Sequence, residues 1–505
     1  TGIAADLAIN GAFLSYDLSW QLGWLPAIVV VILVVCQFVL VGRLLNQDLP
    51  SDTADALFDI AITWLFIGPF LFLQLLIFSN IAWVTTSTGL SFTGAFMLLL
   101  VAHLLGFTII FLPSHIFRPF ITICAGLALL LDIARLLAGV QVSWLTILYI
   151  LLGQIALSGL LLVIVGGLGF GRRLRGLRHI SIANGLGMLL LVIFLFAYYA
   201  VYDISLPYSN LIIPIFALLL VLLAALPILR QQVQTETLNK SIASRVFLIL
   251  ILFLIIPIIQ RITWQKPEEV NLSGGPVRIV NYNLHNGVDP KGHLGFEALA
   301  RVIEAENPDV VGLQEVSRGW VVNGSSDMLT WLAQRLGMTA VFGPTADGQW
   351  GNAILTRLPI HEHENRPLPT DDLLLQRGYM VSQLDRGNGK SIEFINTHYH
   401  HKDDGTDIRL DQSLTILGFW DERPNTIIVG DLNAEYGHPE IDIFKQANFG
   451  DVLDVTDVIP GYTNPVPDPY RRIDYVWITP DLQPSDVVIP HDEASDHLAI
   501  GVTIN

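Results

Sequence analysis

In the second half of the chain, polar residues with chemical capability stand where short apolar runs finish. Asn283 closes the first such run in Asn-Tyr-Asn-Leu-His, Glu315 closes Leu-Gln-Glu, and His398 closes Asn-Thr-His. Asp431 and Asn433 follow Thr-Ile-Ile-Val-Gly, Asp474 sits in Arg-Arg-Ile-Asp-Tyr-Val-Trp, and Asp496-His497 precedes the last run. Glu315 and Asn283 are hard oxygen donors of the kind that hold Mg2+ while leaving room for waters and a phosphate oxygen. His497, with an ordinary pKa near neutrality, suits a general base. Asp431 is placed to hold or polarise an attacking water. Asn433 and His398 can donate to non-bridging phosphate oxygens, where charge grows during in-line displacement. Singly, an Asp or Asn after a strand is a turn residue or helix cap. A carboxylate ending an apolar strand, as Glu315 does, is odder, because it is costly without a partner. Taken over six strand ends, the set reads as one site.

The surrounding pattern supplies elements to carry it. Val277–Asn283 alternates apolar and polar residues like a half-buried strand. Phe296–Glu306 has helical spacing stopped by Asn307-Pro308, and Asp309–Glu315 reads as a second strand. Ser326–Leu336 reads as a capped helix closed by Gly337. Further strands are expected at Ala353–Thr356, Tyr379–Leu384, Ser391–His398, Thr426–Val429, Ile473–Ile478 and Leu498–Ile504, with helices at Arg409–Trp420 and Glu440–Ala447. This is an α/β domain, and strand ends are where such domains build sites.

In chain order, Asn-Tyr-Asn-Leu-His-Asn-Gly, Leu-Gln-Glu, Gly-Asn-Ala-Ile-Leu, Asn-Thr-His, Gly-Asp-Leu-Asn-Ala, Arg-Ile-Asp-Tyr-Val and Ser-Asp-His resemble the endonuclease/exonuclease/phosphatase superfamily, also called DNase I-like. The resemblance covers about Val277 to Asn505. It implies a four-layer α/β sandwich, two mixed β-sheets flanked by helices, and Mg2+-dependent phosphoester cleavage, with Mn2+ as the alternative ion. It further implies that Asn283 and Glu315 hold the metal, that Asp496 joins through water, and that Asp474 orients His497 and stabilises its imidazolium. The catalytic set is then His497, Asp474, Asp431, Asn433 and His398. No family role transfers to Arg409 or Gln412, although Arg409 is long enough to reach a phosphate. A zinc site on His398, His400 and His401 is the weaker reading, since no cysteine supports it and neighbouring strand residues face opposite ways.

The first half has another texture. The chain of 505 residues is 52% hydrophobic and only 14% charged, against about 25% charged for soluble chains. Through Arg261 there are 11 Lys and Arg against 9 Asp and Glu; from Ile262 there are 17 against 36. The acidic second half argues against a grip on long duplex DNA, which needs clustered cations. Runs long enough to span a bilayer are expected at Trp24–Gly42, Ile60–Trp83, Phe92–Leu112, Pro119–Leu137, Trp144–Leu168, Ser181–Val201, Leu211–Leu229 and Val246–Gln260. The expected organisation is a polytopic α-helical membrane domain over 1–261, a tether over 262–275 and a catalytic domain over 276–505. The chain begins at Thr1, which reads as a fragment with upstream sequence removed.

Alternate loops carry nine Lys and Arg against two, the densest group being Arg172, Arg173, Arg175 and Arg178. Positive charge marks the cytoplasmic side, so with eight spans the catalytic domain emerges on the extracytoplasmic or lumenal side. Intramembrane polar residues include His103, Asp59, Asp132, Asn80, Asn184 and Gln154. Structural roles are the favoured reading for most of them, with Asp132 and Arg135 at the spacing of a local ion pair. A phosphodiester in a membrane lipid headgroup is the expected substrate. The alternatives are a membrane-anchored nuclease, or a membrane protein with an inert domain. Several spans followed by an external domain of this kind also resemble the fungal cell-wall biogenesis family that remodels glycosylphosphatidylinositol lipids. That resemblance is one of architecture.

Overall fold

The computed structural model describes residues 2–45, 64–111, 124, 126–129, 144–167, 177–230, 240–267, 273–370 and 374–505. The chain forms two compact units, Thr1–Thr263 and Trp264–Asn505.

The first unit is helical. Among the described residues, three helical segments are long and apolar enough to cross a membrane: Trp144–Leu161, Ser181–Asp203 and Ser241–Ile262. A fourth exists if Ile67–Phe78 and Ile81–Thr88, bent by 46° relative to one another, count as one span. Further apolar helices run over Trp24–Leu45, Phe92–Thr108 and Ile212–Arg230. Among the described residues, two of the eight expected spans differ from a single helix of spanning length. The run beginning at Ile60 is broken because Gln74–Phe78 is a π-turn and the Asn80 side chain then caps a new helix by accepting from the Trp83 N–H at 2.9 Å. The helix at Phe92 stops at Thr108 and tightens into a 3₁₀ turn. The expected span Pro119–Leu137, with Asp132 and Arg135, falls almost wholly outside the described residues, as does Asp59.

Small residues let these helices approach closely. A side chain at Gly68 would meet the Gly187 carbonyl at 1.6 Å, and one at Gly106 would meet Ser158 Cβ at 2.5 Å. His103 is buried and spends Nδ1 on its own helix, 2.9 Å from the Leu99 carbonyl.

The second unit contains two six-stranded sheets. Sheet one has the order β11(Pro484–Val488), β12(Ile500–Ile504), β1(Val277–Asn283), β2(Val310–Ser317), β4(Trp350–Thr356), β3(Thr339–Ala346). Sheet two has β5(Ile360–Pro367), β6(Gly378–Gly387), β7(Lys390–His398), β8(Thr426–Asp431), β10(Asp474–Ile478), β9(Gly450–Asp451). Both are mixed: β1–β2 and β7–β8 are parallel and the remaining pairs antiparallel.

Period-two alternation sorts the side chains. Phe394, Ile427, Val429 and Val476 join Ile279, Val310, Ile354 and Val502 in a core drawn from both sheets. Their neighbours Ile395, Ile428, Tyr475 and Trp477 pack with Ile416 and Trp420 of helix Thr406–Trp420 and with Phe444 of helix Pro439–Gln446. This is the α/β sandwich the motifs implied. The helix expected from Ser326 begins at Met328, capped by Asp327, whose carboxylate accepts from the Thr330 N–H. The strands missed from sequence are β3, β5, β9 and β11; β5 reads Ile-His-Glu-His-Glu-Asn-Arg-Pro and is exposed along nearly its whole length, so it carries no burial alternation.

A buried amide network holds the two sheets in register. Gln314 on β2 donates to Asn281 Oδ1 at 2.8 Å and to Asn396 Oδ1 at 2.7 Å. Asn396 on β7 donates to the Leu313 and Ala353 carbonyls, and Asn281 on β1 to those of Gly430 and Tyr475. The sheets approach closely enough that a Cβ at Gly312 would lie 2.3 Å from Val429 Cγ2. Replacing Asn396 with Leu takes one of its two acceptors from the Gln314 amide and the side-chain donor from two carbonyls, and should cost about 1–3 kcal/mol for each group left unpaired. Pulse proteolysis of the full chain, reading cleavage within 264–505, measures that loss.

Candidate active site

Each functional side chain is delivered by a strand end or by the loop that follows it. The parallel pairs β1–β2 and β7–β8 bring Asn283 beside Gln314 and His398 beside Asp431 in register, and antiparallel β10 sets Asp474 opposite Asp431. Asp431 Oδ2 is the meeting point. It accepts from Asn283 Nδ2 at 2.9 Å, lies 3.4 Å from His398 Nε2 and 3.8 Å from His497 Nε2. Its other oxygen accepts the Asn433 N–H at 2.9 Å, which holds Asn433 at a left-handed φ of 48°.

Glu315 reaches the same place through a bulge. Between Leu313 and Val316 the β2–β4 register shifts, and Glu315 takes φ 53°. A bulge of this kind re-aims a side chain that regular pleating would place elsewhere. Glu315 Oε1 lies 4.0 Å from His398 Nε2, and Oε2 accepts from Asn286 Nδ2 at 2.9 Å.

His497 is buried. Its Nδ1 is 2.8 Å from Asp474 Oδ2, and its Nε2 faces Asp431 and, at 3.9 Å, Asp496 Oδ1. The loop carrying it is fixed by the Ser495 hydroxyl, which donates to the Asn283 carbonyl at 2.8 Å and accepts the His497 N–H. Burial pulls the His497 imidazole down, but Asp474 and Asp431 outweigh it and hold the ring's basicity above its ordinary value. Burial pushes the Asp431 carboxyl up against the opposing pull of His497. His398 goes the other way: burial first, then the nearby Arg377 and the rings of His497 and His401, keep it well below an ordinary histidine. The site therefore sets an imidazole whose charged form is favoured by neighbouring carboxylates beside one that burial keeps neutral.

All eight residues expected from sequence lie on this one region of the fold. Asp431, Asp474 and His497 also offer ligand atoms within 4.8 Å of one another, although the close His497–Asp474 bond already uses one atom of each. Glu315 and Asp496 are the carboxylates with side chains open to solvent, at 21% and 31% exposure. Asn283 is fully buried, and its Oδ1 accepts the His285 N–H at 2.9 Å, leaving one lone pair for an ion. The oxygen-rich set Asn283, Glu315 and Asp496 fits a hard divalent cation.

Other expectations are corrected. Arg409 does not face the site: it is buried, 2.9 Å from Glu440 Oε1, and donates to the His400 and Lys402 carbonyls. Gln412 accepts the His400 N–H and donates to the Pro369 carbonyl. His398, His400 and His401 form no metal group among the described residues; the Nδ1 atoms of His398 and His401 instead face Arg377.

Sequence reasoning passed over Asn286, Trp350 and Arg377. Trp350 donates from its indole to Asn286 Oδ1 at 2.7 Å, stacks on Trp320 and meets the His398 ring at 5.8 Å. Asn286-Gly287 was visible as a turn signal, and Arg377 as a lone cation at the start of a strand.

Two mixed sheets with these strand-end carboxylates, amides and paired histidine define a hydrolase fold of the phosphodiesterase and phosphatase kind. Residues 280–497 match the model of the Endonuclease/Exonuclease/phosphatase family. The protein YbhP of Escherichia coli K12, described as uncharacterized, is 23% identical over 250 residues, covering 45% of this chain and 96% of its own. Among solved structures, the human Nocturnin catalytic domain with bound sulfate is similar at 21% identity and TM-score 0.38, covering 47% of this chain and 95% of its own. A Danio rerio TDP2 complexed with single-strand DNA product matches at 20% identity and TM-score 0.38, covering 46% and 99%.

Proposed function

We propose that the chain is a membrane-bound, metal-dependent phosphodiesterase acting on a lipid headgroup phosphodiester, by hydrolysis or by transfer of the kind used in glycosylphosphatidylinositol lipid remodelling. The observation that carries the chemistry is the His497–Asp474 pair aimed at Asp431. The substrate class is supported by apolar helices of membrane-crossing length in the same chain, by the acidic balance from residue 262, and by a loop-charge bias that, with eight spans, favours the extracytoplasmic or lumenal side.

In this reading, Asp431 accepts one hydrogen bond from the attacking water and His497 Nε2 takes its proton, the positive ring then being stabilised by Asp474. Asn433 and His398 Nε2–H donate to the non-bridging oxygens. Asn283, Glu315 and Asp496 would hold Mg2+ or Mn2+, which when bound neutralises phosphoryl charge and eases departure of the leaving oxygen.

The test places the purified chain in liposomes made from its host's lipid extract, with and without Mg2+, and follows lipid species by mass spectrometry. Release or exchange of a phosphorylated headgroup only with Mg2+, and only when His497 is present, is the expected result. Untouched lipids together with cleavage of short oligonucleotides would overturn the lipid assignment and make the helical unit an anchor for a nuclease.

A further inference from the structure

We infer that Arg377 is a positioning residue of this site: it clamps His398 and His401 by their Nδ1 atoms and so turns the Nε2–H of His398 toward Asp431 and the bound phosphoryl group. The inference rests on the phosphodiesterase reading for its consequence and on geometry for its content. Arg377 is buried, at 3% exposure. Its Nη1 lies 3.0 Å from His398 Nδ1 and its Nη2 lies 3.1 Å from His401 Nδ1. The guanidinium sits over the Trp350 ring, 5.1 Å from the centroid, and the same indole touches the His398 ring.

A guanidinium can only donate. His398 Nδ1 must then accept, and the single ring proton sits on Nε2, facing Asp431 Oδ2 at 3.4 Å. With Nε2 protonated, the Asn433 amide nitrogen 3.0 Å away is a second donor on that side, so it keeps one hydrogen on the Tyr399 carbonyl at 3.2 Å and must turn the other aside, free for an incoming phosphoryl oxygen. His398 is thereby fixed as a donor and cannot exchange roles with His497, which has a carboxylate on its Nδ1 and so presents an acceptor after deprotonation. Two imidazoles that face the same Asp431 oxygen are given opposite tasks by what each meets at Nδ1. A planar fork that reaches two rings at once is a task for Arg rather than Lys.

The test uses the full chain, the chromogenic diester bis(p-nitrophenyl) phosphate with Mg2+, and Arg377→Ala and Arg377→Lys variants, with the exposed Arg366→Ala as control. Arg377→Ala should lower kcat about 10–100-fold, the usual cost of losing a group that orients a catalytic one, with little change in KM. Millimolar methylguanidinium should restore part of the rate, and methylammonium should not. A raised KM at unchanged kcat would overturn the inference, since Arg377 would then bind substrate directly. A second readout needs no turnover: His398 modification by diethyl pyrocarbonate, mapped by mass spectrometry. Wild type should be protected, Arg377→Ala modified, and methylguanidinium protective again. Equal protection in wild type and Arg377→Ala overturns the clamp whatever the activity, whereas an inactive wild type with the expected protection pattern overturns only the phosphodiesterase reading.

Discussion

His497→Asn will lower the Mg2+-dependent rate by about 10²–10⁴-fold, the range for removing a general base, while leaving the domain folded. The amide nitrogen of Asn can take the place of His497 Nδ1 against Asp474 Oδ2, now 2.8 Å away. What disappears is Nε2, the atom that faces Asp431. His497→Ala should match it in rate but not in stability, because it leaves the fully buried Asp474 carboxylate without its imidazole. Initial rates of phosphodiester cleavage, paired with pulse-proteolysis midpoints, separate the two effects. An Asn variant within tenfold of wild type would remove His497 from the proton transfer.

Arg409→Met will be the most damaging of the single changes considered for the fold. Arg409 and Glu440 lie 2.9 Å apart with side chains 3% and 0% exposed. Breaking such a pair costs roughly 3–5 kcal/mol, since the surviving charge stays buried and alone. Two carbonyls on the loop after His398, those of His400 and Lys402, lose their donor as well. For a unit of this size the loss corresponds to a drop on the order of 10 °C in the unfolding midpoint. The double variant Arg409→Met with Glu440→Leu should recover much of it, since two apolar groups of similar volume are often as stable as a buried pair. Failure of the double variant to recover would assign the loss to the two carbonyls instead.

What could be read from sequence followed from how local each signal is. Strand ends such as Leu-Gln-Glu and Gly-Asp-Leu-Asn announce themselves within a few residues, because an apolar run and the polar residue closing it are contiguous. That is why Glu315, Asp431 and Asn433 were legible. Arg377 was not, since its two histidine partners lie 21 and 24 residues further on and only the folded β6–β7 hairpin brings them together. Arg409 was misjudged for the same reason: reach is a local property, but direction is set by Glu440, 31 residues away. In the first unit, mean hydropathy registers oiliness but not a π-turn or an Asn cap, so a broken helix and an unbroken one look alike.

The bulge at Glu315 leaves a trace in how the protein can decay. A non-glycine residue held in the left-handed region gives up roughly 1–2 kcal/mol, and a glycine there would relieve it. Glu315→Gly should therefore fold at least as well as wild type while lacking the carboxylate that faces the site. Conformational comfort and chemical competence pull this one codon in opposite directions. In any lineage where the activity stops being useful, drift toward glycine at 315 would be an inexpensive way to fall silent, leaving a sturdier domain that no longer turns over.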